Sequence, residues 1–161
     1  VKTVLEIGTA IGYSSIRFAN LKHDIHVTTI ELDIERYTKA NQNFKLCKLE
    51  DKITSIHDDA LTHDFSEKFD LIFIDAAKAQ YIKFFEKYKN NLTKNGVIIS
   101  DNLSFHGMVD DLTLTHNYST KKLVKKIQKY VEFLKTNEEF ETEFFEIGDR
   151  ISISRKKSVE N

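Results

Sequence analysis

Two short runs carry the densest chemistry. Asp75-Ala76-Ala77-Lys78 closes the apolar stretch FDLIFID, residues 69–75, and Asp101-Asn102 closes GVIISD, residues 96–101. Continuous apolar runs of this kind suit central strands buried on both faces. In a parallel sheet the tips of two such strands can be neighbours. Asp75, Asp101 and Asn102 would then offer three hard oxygen donors, two charged and one neutral. That set suits Mg²⁺, with water and substrate filling the remaining positions. No histidine joins the triplet, which argues against zinc. Acids capping buried strands can produce either tip alone, so the pairing carries the argument.

A second group of residues lies upstream. Glu6-Ile-Gly8-Thr-Ala-Ile-Gly12-Tyr-Ser14 follows a short apolar run. Glycines at a strand-to-helix turn let backbone approach a ligand closely. The third glycine of a dinucleotide fingerprint is absent. An acid just before the glycines disfavours pyrophosphate and favours a cationic group such as an amino acid's amine. An ordinary tight turn would give the same spacing. Glu31 ends the next β-branched run, about 20 residues on, where a carboxylate can hold both ribose hydroxyls. Asp58-Asp59-Ala60 follows the third run, where an acid and a backbone N–H can read an adenine edge; a helix cap or turn fits equally well. Taken in order along successive strand ends, these signals reinforce one another, because ligands of open α/β sheets bind at the carboxyl ends of strands.

The elements that must position these groups alternate. Residues 4–7, 26–31, 53–57, 69–75 and 96–101 read as strands, and residues 13–21, 34–46 and 79–91 as helices. Repeated strand–helix units imply a mostly parallel sheet with helices on both faces. The last third differs. Residues 119–136 form a long lysine-rich helix, and residues 140–147 and 150–154 are strands joined at Gly148-Asp149, an antiparallel hairpin. The fold class expected is α/β: Rossmann-like, a mostly parallel seven-stranded sheet with an antiparallel C-terminal hairpin.

The 161 residues are 40% hydrophobic and 30% charged, with a net charge of -1 and one cysteine. That balance suits one domain over residues 1–161 with a real core. It excludes an internal disulfide framework. Bulk charge predicts no polyanion partner, though local clusters can still bind one. No apolar run reaches the roughly 20 residues of a membrane span. A reducing cytoplasm is the expected setting. The chain opens at Val1 inside an apolar strand, so an N-terminal helical segment is expected to precede it.

The order and wording of these motifs resemble the class I S-adenosylmethionine methyltransferases. Glu6 through Ser14 is similar to the motif of their cation-dependent O-methyltransferases, the group holding the catechol and caffeoyl-CoA enzymes. The resemblance implies S-adenosylmethionine and Mg²⁺ or another divalent cation as cofactors. It places Glu6, Gly8 and Ser14 by the methionine moiety, Glu31 on the ribose, and Asp59 and Ala60 around the adenine. Asp75 would border the cofactor as well. Asp75-x-x-Lys78 with Asp101-Asn102 matches the family's metal-and-base pattern. It implies Asp75, Asp101 and Asn102 as ligands and Lys78 as general base.

The acceptor is read from the last third. Lys122, Lys125, Lys126 and Lys129 share one helix flank by their spacing, with Leu123, Ile127 and Tyr130 nearer the core. Such a flank can neutralise phosphates, or it can be a solvated face. Phe105 and His106, in the segment 103–119 after the metal tip, can stack on an aromatic ring or a base, or anchor the loop. Residues 121–127 and 140–157 are similar to the bacterial tRNA 5-hydroxyuridine methyltransferases. That branch implies a tRNA anticodon stem-loop as partner, held by Lys121, Lys122, Lys125 and Lys126. It also implies a homodimer. A small phenolic acceptor of the catechol kind is the alternative. Arg150 departs from the pattern, since many relatives carry a small or apolar residue there.

Overall fold

The structure, a computed structural model, describes residues 1–105 and 107–158, with Lys78 described by its backbone alone. Its seven-stranded sheet is built from β1 (Thr3–Ile7), β2 (His26–Glu31), β3 (Ile53–His57), β4 (Phe69–Ile74), β5 (Leu92–Ser100), β6 (Phe140–Phe145) and β7 (Ile151–Lys156). The order is β3-β2-β1-β4-β5-β7-β6. The first five strands run parallel, and β7 is antiparallel to both β5 and β6. The sequence expectation of a parallel sheet with an antiparallel pair at one edge therefore holds.

The helices are α1 (Tyr13–Ala19), α2 (Ile34–Leu46), α3 (Tyr81–Tyr88) and α4 (Tyr118–Lys135). Asp33 caps α2 by accepting from the Arg36 amide, and Asn117 caps α4 through Thr120. Each satisfies a backbone N–H that has no partner inside the helix. One helix expected over 79–91 is instead α3 flanked by 3₁₀ turns at Lys78–Gln80 and Lys89–Asn91. α3 buries Tyr81, Phe84, Phe85 and Tyr88, each worth roughly 1.5–3 kcal/mol in area removed from water.

One strand boundary and one buried stripe differ from the sequence expectation. β5 starts at Leu92 rather than Gly96, through an irregular register in which Phe69 faces Leu92 but Leu71 faces Val97. The polar stretch Thr93–Gly96 conceals this in sequence, while Asp70 holds it in place by accepting from Thr93 Oγ1. In α4 the buried stripe is Val124, Ile127, Tyr130 and Leu134, and Leu123 sits half-buried beside it.

The main core lies between β1, β4 and β5 and the α3–α4 layer, where Phe85 meets Phe140 edge-on at 5.0 Å and Tyr81 meets Tyr130 at 5.2 Å. A second cluster joins Val4, Val27 and Ile53 to Ala19, Ala40 and Phe44 of α1 and α2. Among the described residues no helix is long and apolar enough to cross a membrane.

Candidate active site

The strand order puts every chemistry-bearing tip at one end of the sheet. β1 lies between β2 and β4, and β4 pairs with β5 so that Ile74 faces Ser100. Asp75 and Asp101 thus leave adjacent strands side by side. The Asp75 amide donates to Ile7 O at 3.0 Å and the Asp101 amide to Ile74 O at 3.2 Å, so the parallel ladder continues to the tips.

The structure brings two of the three proposed cation ligands into contact and places Asp101 next to them in the chain. Asn102 Nδ2 donates to Asp75 Oδ1 at 3.0 Å across the two strands. Asp101 Oδ1 accepts from the Asn102 amide at 2.7 Å. Asn102 adopts φ 59, a left-handed conformation that asparagine tolerates better than most residues. The tip is anchored from below, where Tyr81, 1% exposed, donates its hydroxyl to the Asp101 carbonyl at 2.9 Å. Sequence reasoning missed Tyr81 because the bond joins α3 to β5. Among the described residues no three His, Cys, Asp or Glu side chains group as a metal centre. The third donor here is an amide oxygen. Two carboxylates and one amide, all hard oxygens with no thiolate or imidazole, fit a magnesium-type cation. The side chain of Lys78, the expected base, lies outside the described residues, as does His106.

Beside this tip opens a cleft of about 790 Å³, walled in part by Gly8, Glu31, Asp59, Ala60, Asp75 and Phe84. These include five of the seven residues expected around the cofactor. Glu31 is 7% exposed; its Oε1 accepts from the Ala10 amide at 2.8 Å and its Oε2 from the Asp33 amide at 3.0 Å. A carboxylate has about four acceptor sites, so both oxygens keep capacity for a diol. Asp59 Oδ1 accepts from the Leu61 amide. Tyr88 fixes the Ala60 wall by donating to its carbonyl at 2.6 Å.

The other two residues sit elsewhere. Glu6 is 1% exposed and is not part of the cleft wall. Its Oε1 accepts from Ser15 and, at 2.8 Å, from Thr29, whose hydroxyl also meets Thr9 at 2.6 Å. Burial pushes the Glu6 carboxyl up to about 7; the Ser15 and Thr29 bonds oppose the rise, and the charges of Asp75 and Glu31 add to it. Ser14 is half-buried in the first turn of α1, outside the cleft wall, while its neighbour Ser15 points inward to Glu6. Thr29 and Ser15 were invisible in sequence because short hydroxyl residues are common in strands and first turns.

The glycines serve packing within the protein. At Gly8, φ +96, a Cβ would stand 2.3 Å from the Asp75 carbonyl oxygen, so this glycine lets the β1 turn close on the β4 tip. At Gly12, φ +93, a Cβ would stand 2.6 Å from Phe44 of α2. Close approach was expected toward a ligand; the structure shows it also toward the chain's own backbone and core, with Gly8 still in the cleft wall.

The segments expected on the acceptor side lie far apart in the sequence. Phe105 packs on the main core, which favours the anchoring role over an open stacking platform. Lys122, Lys125, Lys126 and Lys129 are exposed on α4 and Lys121 is half-buried. Leu103 and Ser104 donate to the carbonyls of Arg150 and Asp149.

The comparisons agree with this fold. Residues 1–157 match the family model described as O-methyltransferase. An Arabidopsis thaliana protein, provisionally named a caffeoyl-CoA O-methyltransferase, is 30% identical over 165 residues, covering 96% of this chain and 69% of its own. A Staphylococcus aureus crystal structure, also provisionally named a caffeoyl-CoA O-methyltransferase, superposes with TM-score 0.93 at 42% identity over 98% of this chain and 77% of that one. The Bacillus cereus O-methyltransferase, solved with S-adenosylhomocysteine, gives TM-score 0.80 at 27% identity over 97% and 74%. The chain therefore belongs to the O-methyltransferase family and is an enzyme that draws its methyl group from S-adenosylmethionine.

Proposed function

We propose that this enzyme methylates the 5-hydroxyl of uridine at the wobble position of tRNA, giving 5-methoxyuridine. The observation that carries this reading is the exposed flank of α4. Lys122, Lys125, Lys126 and Lys129 stand free of any ion pair among the described residues and span about 10 Å along the helix axis. Lysines so placed bind phosphates by releasing condensed counterions.

In this reading the cofactor occupies the cleft, with Glu31 on the ribose diol and Asp59 and Ala60 at the adenine. Asp75, Asp101 and Asn102 would hold a divalent cation, which would supply charge that lowers the pKa of the acceptor hydroxyl. The 5-hydroxyl and the adjacent C4 carbonyl give the acceptor two neighbouring oxygens, as a catechol has. The acceptor oxygen takes the methyl carbon as the carbon–sulfur bond breaks, and S-adenosylhomocysteine leaves. Lys78 accepts the hydroxyl proton. Alignment of oxygen, carbon and sulfur supplies much of the rate.

A second reading has support from the names of the relatives: a small catechol or phenol acceptor, which needs no basic helix. Incubation with hypomodified tRNA and S-adenosylmethionine, in Mg²⁺ and in EDTA, separates the two. Nucleoside mass spectrometry should show 5-methoxyuridine with Mg²⁺ and none with EDTA. Changing the four lysines to alanine should weaken tRNA binding and flatten its log–log salt slope by roughly 3. No RNA methylation alongside rapid catechol turnover would replace the first reading by the second.

A further inference from the structure

Arg150 occupies a position that an arginine adopts only under constraint. Its φ is 66, in the left-handed region where a long side chain is uncommon. Such an outlier persists only when its surroundings over-determine it. Here the surroundings are the loop that leaves the cation tip. Arg150's carbonyl accepts from the Leu103 amide at 3.0 Å, directly after Asn102, and Asp149 accepts from Ser104 at 2.9 Å. Its guanidinium reaches further along the same loop. Nη2 donates to Asp110 Oδ2 at 2.7 Å and Nη1 to Asp110 Oδ1 at 3.3 Å, while Nε donates to Glu146 at 2.8 Å. This two-pronged pairing is the geometry in which charge-assisted bonds add direction as well as attraction. The guanidinium also holds the Asp110 carboxyl below its ordinary range.

The loop is tied at other points too. Gln128 of α4 donates to Val109 O at 2.7 Å, and Phe105 and Val109 pack on the core. Among the described residues of this stretch, Asn102, Phe105 and Gly107 have positive φ, so the backbone turns sharply at each. Arg150 grips both ends of residues 103–110, by its backbone at the start and its guanidinium at the finish.

We propose that Arg150 is a positioning residue for the acceptor side of the site. Its clasp on Asp110 and Glu146 presets the loop after Asn102, and with it the surface that receives the acceptor. The inference rests on reading Asp101-Asn102 as the acceptor end of the site, but not on which acceptor is used.

The test uses Arg150→Gly, which keeps the left-handed turn at no steric cost and removes only the side chain, together with Asp110→Asn. Hydrogen exchange of the Leu103, Ser104 and Met108–Asp111 amides should speed up by about tenfold in R150G. KM for hypomodified tRNA, or for a catechol if that is the acceptor turned over, should rise by about fivefold. kcat and calorimetric binding of S-adenosylmethionine should stay near wild type. D110N should reproduce the effect alone and add little on R150G, because the two residues act as one unit. Wild-type exchange and KM in R150G, or full additivity of D110N upon it, would overturn the clasp. D101N is the independent control: retention of transfer in D101N would sink the site reading, whatever the exchange data show.

Discussion

The half of this site read as cofactor-binding and the half read as acceptor-binding are held by different means. On the cofactor side, β1, β2 and the Asp58–Ala60 turn position the groups, and most bonds close within the first third of the chain. Ala10 and Asp33 bind Glu31, and Ser15 and Thr29 bind Glu6. On the acceptor side, β4, β5, α3, α4 and the β6–β7 turn each contribute. Tyr81 holds Asp101, Gln128 holds Val109, and Arg150 reaches Asp110 across 40 residues. A cofactor common to a large family can be served by a compact local frame. An acceptor surface assembled from distant segments can be altered without disturbing that frame.

The comparison makes the two halves separable by experiment. The largest effect is expected at the tip proposed to hold a cation. Asp101→Ala should lower methyl transfer by roughly 10³-fold, since it removes a ligand from a group that supplies several kcal/mol. Lys78→Ala should cost about 10²–10⁴-fold as a lost general base. Both should leave S-adenosylmethionine binding by calorimetry near wild type; loss of that binding would mean the halves are not independent.

Next is Gly8→Ala, at the seam between them. Its Cβ would meet the Asp75 carbonyl oxygen at 2.3 Å. Overpacking and the unfavourable φ should together cost about 2–5 kcal/mol in chemical denaturation. Glu31→Ala strikes only the cofactor half. It orphans the Ala10 and Asp33 amides and deletes the diol partner, so cofactor affinity should fall by about 10–100-fold, with little change in tRNA or catechol KM at saturating cofactor.

Glu6 sharpens the contrast through pH. Its carboxyl is pushed from an ordinary 4.5 up to about 7 in the fold. Between those values the folded protein keeps a proton that the unfolded chain has released. The stability from this group is complete below about 4.5 and is lost as pH rises through 7. Glu6→Gln should remove that trend, improving in stability relative to wild type between pH 5 and pH 8 by on the order of 2 kcal/mol. Parallel urea curves of the two proteins at both pH values check it. Tyr81→Phe is the mildest change. Loss of one buried bond to the Asp101 carbonyl should cost about 1 kcal/mol, read as weaker Mn²⁺ binding with cofactor affinity intact.

The same division governs what could be read in advance. Tips such as Glu31, Asp75 and Asp101-Asn102 were legible because each closes a β-branched or apolar run, and strand periodicity locates such ends. The glycines were legible by spacing, but their partners were not, since a glycine's use depends on what backbone comes near it. Glu6 was noticed as an acid before a glycine turn. Its burial beneath Ser15 and Thr29 was beyond reach, because hydroxyl residues give no periodic signal. Arg150 stood out only as a departure, with nothing in its neighbours to reveal Asp110.

By itself the sequence determined the strand–helix alternation, the buried central strands, the antiparallel ending and the identity of the polar groups at the tips. These follow from local periodicity and turn chemistry, which act over a few residues. The tertiary structure alone decided that β4 and β5 are neighbours in register, which brings Asn102 to Asp75. It also decided that Glu6 is enclosed, and that Arg150 bonds both Leu103 and Asp110 of the segment after Asn102. Those outcomes depend on pairing and burial between segments far apart in the chain, where no local pattern records the partner.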